Sequence, residues 1–334
     1  MQIQADGKIL IAGHARVGGQ WEWRVQRLLT TGLIDTSFGT DGTYVPTTSL
    51  GTSDNILAMQ IQVDSKILIA GYATVGGQKE WRVQRLLTTG LIDTSFGNEG
   101  TYVPTTSLGT SDNILAMQIQ VDSKILIAGY ATVGGQKEWR VQRLLTTGLI
   151  DTSFGTNGTY VPTTSLGTSD KIEAMQIQAD GKILIAGYAT VEGEEEWRVQ
   201  RLLTTGLIDT SFGNEGTYVP DPSLGTEDMI LAMQIQVDNK ILIAGYATVE
   251  GEEEWRVQRL LTTGLIDTSF GTNGTYVPTT SLGAADYINR MQIQADGAIL
   301  LGGNADDQWR VQRLLNDIPP LTQIAANGNG GIAG

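Results

Sequence analysis

Asp6, Asp35 and Asp54, together with Arg24 and Arg27, recur at the same places in each full copy of a repeating unit. Carboxylates brought together in this way can act as general acid and general base when one is held protonated and the other ionised. Recurrence argues against that use. A catalytic site needs one asymmetric constellation, whereas groups present in every unit brace turns and pair charges beside a sheet. Ser37, in the segment Leu33-Ile34-Asp35-Thr36-Ser37-Phe38-Gly39, has no histidine partner to make it a nucleophile. The single histidine, His14, stands where later copies carry Tyr72, Tyr130, Tyr188 and Tyr246, so a histidine-based triad and a multi-histidine metal site are excluded. With no cysteine in the chain, disulfides, thiolate metal sites and cysteine nucleophiles are excluded as well. The turns Thr40-Asp41-Gly42, Asn98-Glu99-Gly100 and Thr156-Asn157-Gly158 offer oxygen atoms but lack the several spaced carboxylates of a calcium loop. The expectation is a protein that is not an enzyme and uses no metal or cofactor.

Aromatic residues leave a binding reading open. One tryptophan recurs per copy, at Trp23, Trp81, Trp139, Trp197, Trp255 and Trp309. Exposed, these would be stacking platforms for sugars; sharing a strand face with Val25 and Leu29, they are expected instead to pack between sheets. Asp35, Thr36 and Ser37 can bond nearby backbone amides, and Phe38 is expected to insert between neighbouring units. The copies differ chiefly at turns and in one hairpin, which gives a candidate recognition rim of Trp21, Lys79, Glu194, Glu195, Glu252 and Glu253. Acid concentrates in the runs 192–196 and 250–254 of adjacent copies.

The elements that must carry these residues follow from the period. Met-Gln-Ile-Gln begins at Met1, Met59, Met117, Met175, Met233 and Met291, a constant spacing of 58 residues that signals a solenoid, propeller or array. Each unit reads as four short β segments, which in the first copy are 8–12, 23–29, 43–47 and the junction 56–62. The run Ile9-Leu10-Ile11-Ala12 is apolar on both faces, as suits a central strand sandwiched between neighbouring sheets. Asp6-Gly7 and Gly18-Gly19 supply tight turns, and Pro46 places its segment at a sheet edge because it cannot donate to a ladder. Helical periodicity does not persist, and Val, Ile and Thr dominate the strand segments. The predicted fold is therefore all-β: a six-bladed β-propeller of mostly four-stranded antiparallel blades, closed as a monomeric ring. Residues 1–317 form this single domain, with the last copy partial because its hairpin is shortened and its Leu-Ile-Asp-Thr-Ser-Phe-Gly and Thr-Tyr-Val-Pro segments are missing. Residues 318–334 read as a tail or linker, of which 321–326 could supply the missing edge strand.

The segments Ala5-Asp6-Gly7-Lys8-Ile9-Leu10-Ile11-Ala12-Gly13, 23–39 and the following Gly-Thr-Asp-Gly resemble the delta-60 repeat, a bacterial propeller-forming repeat. The last copy departs from the pattern with Ala298 in place of lysine, and Thr31-Gly32 stands where the family has Asp-Gly. The resemblance implies a propeller from a bacterial secreted or surface protein, although this chain carries no signal peptide. Twenty-two basic against 36 acidic residues leave a net charge of −14, which repels phosphate backbones and argues against nucleic acid. No apolar run reaches the roughly 20 residues of a spanning helix, which argues against membrane insertion. The expected role is a binding or display scaffold whose partner is a protein or a glycan. A lectin-like propeller is the alternative, ahead of an enzyme or a recently amplified repeat without a dedicated ligand.

Overall fold

The structure is a computed structural model that describes residues 1–315 except 47–49, 106–107, 163–165, 222, 279–285 and 307. Its described residues form six antiparallel sheets, five of four strands and a last one of three. In the second sheet the strands are Asn55–Ile61, Ile67–Val75, Gln78–Leu86 and Thr101–Tyr102, joined in sequence order. The first sheet repeats this with Gln2–Ile3, Ile9–Val17, Gln20–Leu28 and Thr43–Tyr44. The last sheet holds Tyr287–Ile293, Ile299–Ala305 and Gln308–Leu314.

Turn chemistry sets the register. Val17 pairs with Gln20 and Val75 with Gln78, so each hairpin has a two-residue loop. Both loop residues have positive φ, 56° and 88° at Gly18 and Gly19, and 53° and 94° at Glu192 and Gly193, as hairpin turns that follow strand twist require. From that loop the ladder runs without slip to Ile67↔Leu86. The innermost pair is different: its register shifts between Ile56 and Ala58, leaving Leu57 as a bulge beside Gly71. A Cβ on Gly71 would sit 2.0 Å from the Asn55 carbonyl oxygen, so the bulge requires glycine there.

Three strand expectations are corrected in length: the strand expected over 23–29 runs from Gln20 to Leu28. The second strand runs on from Ala12 to Val17, and the outer strand is only Thr43–Tyr44, with Pro46 beyond its end. The outer strand stops before Pro46, whose nitrogen has no hydrogen to give to a ladder, and on its other side it is bounded by a turn in which Thr40 and Thr43 exchange backbone hydrogen bonds of 2.8 and 3.0 Å. The suggested edge strand 321–326 lies outside the described residues.

The chain divides into two compact units. The first comprises Met1–Ser165, Ser169–Ile172 and Thr205–Leu207; the second comprises Leu166–Thr168, Glu173–Thr204 and Ile208–Gly334. In the first unit, Leu10, Trp23, Val25, Phe38 and Tyr44 of sheet one pack on Ile56, Met59, Ile67, Ile69 and Leu86 of sheet two. Sheet two then presents Leu68, Trp81, Val83 and Phe96 to Ile114, Met117, Ile125 and Ile127 of sheet three. The second unit repeats the scheme with Trp197 against Ile241 and Ile243, and Trp255 against Ile299 and Leu301. Burial of alternate residues on both faces is what makes the central strands continuously apolar.

Candidate binding rim and the braces behind it

The recurrent acids and arginines are brought together as braces. Asp35 accepts from Arg27 Nε at 2.8 Å and from the Ser37 hydroxyl at 2.6 Å, and Lys8 Nζ lies 3.1 Å away. Ser37, Lys8 and Arg27 together hold the Asp35 carboxyl below the usual carboxylate range, against the opposing effect of burial. Arg27 also reaches the next sheet, donating through Nη1 to the Thr88 carbonyl at 2.7 Å, and its guanidinium lies 4.6 Å from the Phe38 ring centre. Asp93, Asp151, Asp209 and Asp267 repeat the pair with Arg85, Arg143, Arg201 and Arg259, each at 2.8 Å. Burial alone would raise the Asp93 carboxyl, but hydrogen bonds from Ser95 and Lys66 and the Arg85 charge outweigh it. A carboxylate so fixed in its ionised form has no proton to donate, so the arrangement holds a corner and a sheet contact. Arg24 is paired with Glu22 at 2.9 Å, while Asp6 lies 3.6 Å from Lys8.

Asp54 has another task. It accepts from the Thr74 amide at 3.1 Å and donates its own amide to the Trp21 carbonyl at 2.8 Å, tying the hairpin of one sheet to the entry loop of the next. Asp112 does the same at the Lys79 carbonyl, 2.9 Å, and Asp286 at the Glu253 carbonyl, 3.1 Å. Burial pushes the carboxyls of Asp112 and Asp228 up to about 6, beyond the lowering effect of the backbone amides that bond them.

The rim residues fall into one structural slot. Trp21, Lys79, Glu195 and Glu253 sit one pair in from the hairpin turn, opposite Arg16, Thr74, Thr190 and Thr248. In the first unit the slot residues Trp21 and Lys79 pack on the aromatic residue of their own sheet. Trp21 meets His14 edge to face with centroids 4.6 Å apart, and Lys79 Nζ lies 4.3 Å from the Tyr72 ring centre. In the second unit Glu195 and Glu253 converge on Tyr246, whose phenol is held well above its ordinary range by burial first, then by Glu253, Glu195, Glu227 and Asp228. Burial and then Glu227 likewise raise the Glu253 carboxyl. Glu194 and Glu252 are exposed at the strand starts, opposite Val191 and Val249. Sequence reasoning missed Glu227 and Tyr246. The available signal was Glu227 itself, which stands where three other copies have Ser53, Ser111 and Ser169 and the last has Ala285.

Sugar platforms built from the repeated tryptophans are not what the fold provides. Trp23, Trp81, Trp139, Trp197 and Trp255 are fully buried, and the indole nitrogens of Trp23 and Trp81 donate to the Tyr72 and Tyr130 carbonyls at 3.2 and 3.3 Å. A cleft of about 530 Å³ lies instead between the first two sheets, lined by Thr40, Thr43, Tyr44, Gln84, Asn98 and Glu99 among others. Tyr44 donates its hydroxyl to Gln84 Oε1 at 2.8 Å at the back of this cleft.

Residues 4–38, 62–96, 120–154, 178–212 and 236–270 match a family described as a domain of unknown function (DUF5122) beta-propeller. The chain belongs to the DUF5122 beta-propeller family. Each matched segment of the DUF5122 repeat runs from the turn before the central strand to the Phe of the brace, so the family pattern coincides with the Arg–Asp–Ser corner. The outer strand and the variable entry loop fall between the matches. No curated protein matches this sequence. Among solved structures the chain is similar to a PL25 ulvan lyase, with 10% identity over 94% of this chain and 79% of that one, at a TM-score of 0.52. It is also similar to hydrazine synthase of Kuenenia stuttgartiensis, with 13% identity over 92% of this chain and a TM-score of 0.49. The chain spans 43% of that structure's length. Drosophila Semaphorin 1a, extracellular domains 1–2, matches with 9% identity over 91% of this chain and 75% of that one, at a TM-score of 0.48. At such identities the likeness concerns the fold alone, which enzymes and other proteins share.

Proposed function

We propose that this DUF5122 propeller is a non-catalytic binding scaffold that recognises its partner through the hairpin rim, as part of a bacterial secreted or surface protein. The observation that carries this reading is the single slot occupied in turn by Trp21, Lys79, Glu195 and Glu253 on a backbone whose ladder is otherwise repeated pair for pair. Loops and hairpins can vary without disturbing packing, whereas a strand substitution is felt on two sheet faces. The resemblance to the delta-60 repeat supports the surface location. The acid at Glu194, Glu195, Glu227, Glu252 and Glu253 favours a basic protein partner whose binding weakens with salt.

A glycan partner is the second reading, favoured by the hydroxyl and amide groups of Thr40, Thr43, Tyr44, Gln84 and Asn98 in the cleft of the first unit. A screen against glycans and basic surface proteins tests both. For the rim, exchanging Glu194, Glu195, Glu252 and Glu253 for Gln is expected to weaken a captured protein at least about tenfold at low salt, a loss on the order of 1.4 kcal/mol. Affinity indifferent to these changes and to ionic strength overturns the rim. Glycan capture abolished by Thr43→Trp moves the site to the cleft.

A further inference from the structure

Inside the first unit, rings and cations gather at the hairpin end of each junction between sheets. In sheet one His14 Nδ1 lies 2.6 Å from Asn55 Oδ1 of the next sheet, and the Arg16 guanidinium lies 5.9 Å from the Trp21 ring centre. In sheet two Lys79 Nζ stands 4.3 Å from the Tyr72 ring centre. In sheet three the Tyr130 ring carries two ammonium groups, Lys137 Nζ at 5.4 Å and Lys171 Nζ at 6.0 Å. Lys171 stands at the start of the next inner strand, Asp170–Ile177, and belongs to the same unit. The acids of these hairpins are already matched. Glu22, Glu80 and Glu138 pair with Arg24, Arg82 and Arg140 at 2.9, 2.8 and 2.8 Å, while Asp54 and Asp112 are buried on the Thr74 and Thr132 amides. Arg16 and Lys79 form no ion pair among the described residues. The net charge of −14 therefore conceals a strip of cations at Arg16, Lys79, Lys137 and Lys171, whereas in the second unit the slots of Lys79 and Lys137 hold Glu195 and Glu253.

We propose that this strip is an anion-binding site whose ligand is an acidic polysaccharide, a polymer of sugar rings that bear carboxylates. The inference rests on the reading of the hairpins as a recognition rim and names what the first unit's part of that rim takes. It shares no residue with the cleft around Tyr44. Lys79, Lys137 and Lys171 meet the carboxylates. Tyr72 and Tyr130 are positioning residues: a ring beside an ammonium holds it in place, so less side-chain freedom is lost when the anion arrives. Trp21, 43% exposed and flanked by Arg16, offers an apolar face on which a sugar ring stacks. Packed sheets lie about 10 Å apart, close to the screening length of about 8 Å in physiological salt, so cations on successive sheets act together on one polyanion. Weak contacts then combine along a repetitive ligand. Nucleic acid is the less suited polyanion, because its phosphates are denser than ring carboxylates and the net charge of −14 repels them more strongly.

Binding of polygalacturonate to the full chain at low salt tests this, with neutral dextran and fully methyl-esterified polygalacturonate as uncharged controls. The acid polymer should bind and the two controls should not. Lys79→Gln, Lys137→Gln and Lys171→Gln combined should weaken it at least about tenfold. Trp21→Ala should weaken it as well. Arginine at the same three lysine positions keeps the charge and should retain binding, and far-ultraviolet circular dichroism checks that both triple variants fold. Glu195→Gln with Glu253→Gln should leave the polymer bound at least as tightly, so this strip and the acidic rim can fail separately. Absence of polygalacturonate binding overturns the proposal, as does equal binding of the esterified polymer, retention in the glutamine triple variant or loss in the folded arginine one. Binding that ignores the lysines but is abolished by Thr43→Trp overturns the strip and moves the anion to the cleft. Duplex DNA that displaces the polymer as well as free polygalacturonate does, at equal charge, overturns the polysaccharide and leaves bare charge attraction.

Discussion

At the scale of the residue, the repeated Arg–Asp pair braces a corner and reaches the next sheet. Asp93 is buried, ionised and bonded at once by Arg85, Lys66 and Ser95. Replacing it by alanine strands Arg85 without its counter-charge, and the expected loss is about 3–5 kcal/mol in denaturant unfolding. Glu99→Gln, at an exposed turn, is expected to change stability by less than about 0.5 kcal/mol. The two classes of aspartate oppose each other in pH. Asp93 and its counterparts have lowered carboxyls, so their contribution is present above the ordinary value of 3.8 and is lost as the pH falls below it. Asp112 and Asp228 are raised to about 6, so the folded state holds protons that the unfolded chain releases, and stability falls as the pH rises from 3.8 through about 6. The unfolding midpoint should thus be highest on the acid side of neutrality. The double variant Asp112→Asn, Asp228→Asn should flatten the decline between pH 4 and 7, and an unchanged slope would refute this origin.

At the scale of the element, the strands were legible where side chains alternate or run apolar. Lys-Ile-Leu-Ile-Ala and the Trp-Arg-Val-Gln-Arg-Leu segment were both legible as strands, although each runs further toward the shared hairpin than expected, and the burial of Trp23 and Phe38 was placed correctly. What sequence could not supply was set by backbone geometry. The bulge at Leu57 leaves no hydrophobic trace, and the outer strand stops at two residues, before Pro46, although the threonine and valine content suggests more. Neither did repetition foretell that Asp54 serves as a clasp, since its partners lie 20 residues on and 33 residues back. The bulge gives a sharp comparison. A methyl group on Gly71 meets the Asn55 carbonyl at 2.0 Å, whereas on Gly13 it meets nothing within 4 Å. Gly71→Ala should therefore destabilise by several kcal/mol and Gly13→Ala by less than about 1 kcal/mol, as read from thermal unfolding of the two variants.

At the scale of the whole molecule, the same contact recurs between different pairs of sheets, so a segment can satisfy its chemistry in more than one place. Refolding should yield a growing share of dimers and exchanged species as protein concentration rises, and a monomer yield independent of concentration would count against this. The junctions between copies carry one more implication. Ala58-Met59 and Ala116-Met117 join copies at equivalent points of the same inner strand, so excising 59–116 would rejoin Ala58 to Met117 with the local sequence restored and every remaining sheet contact chemically unchanged. Loss or gain of one period is thus invisible to the packing on either side of the cut. The protein's size can drift across generations in whole steps of one sheet, and selection can act on how many copies are kept without having to reinvent any of them.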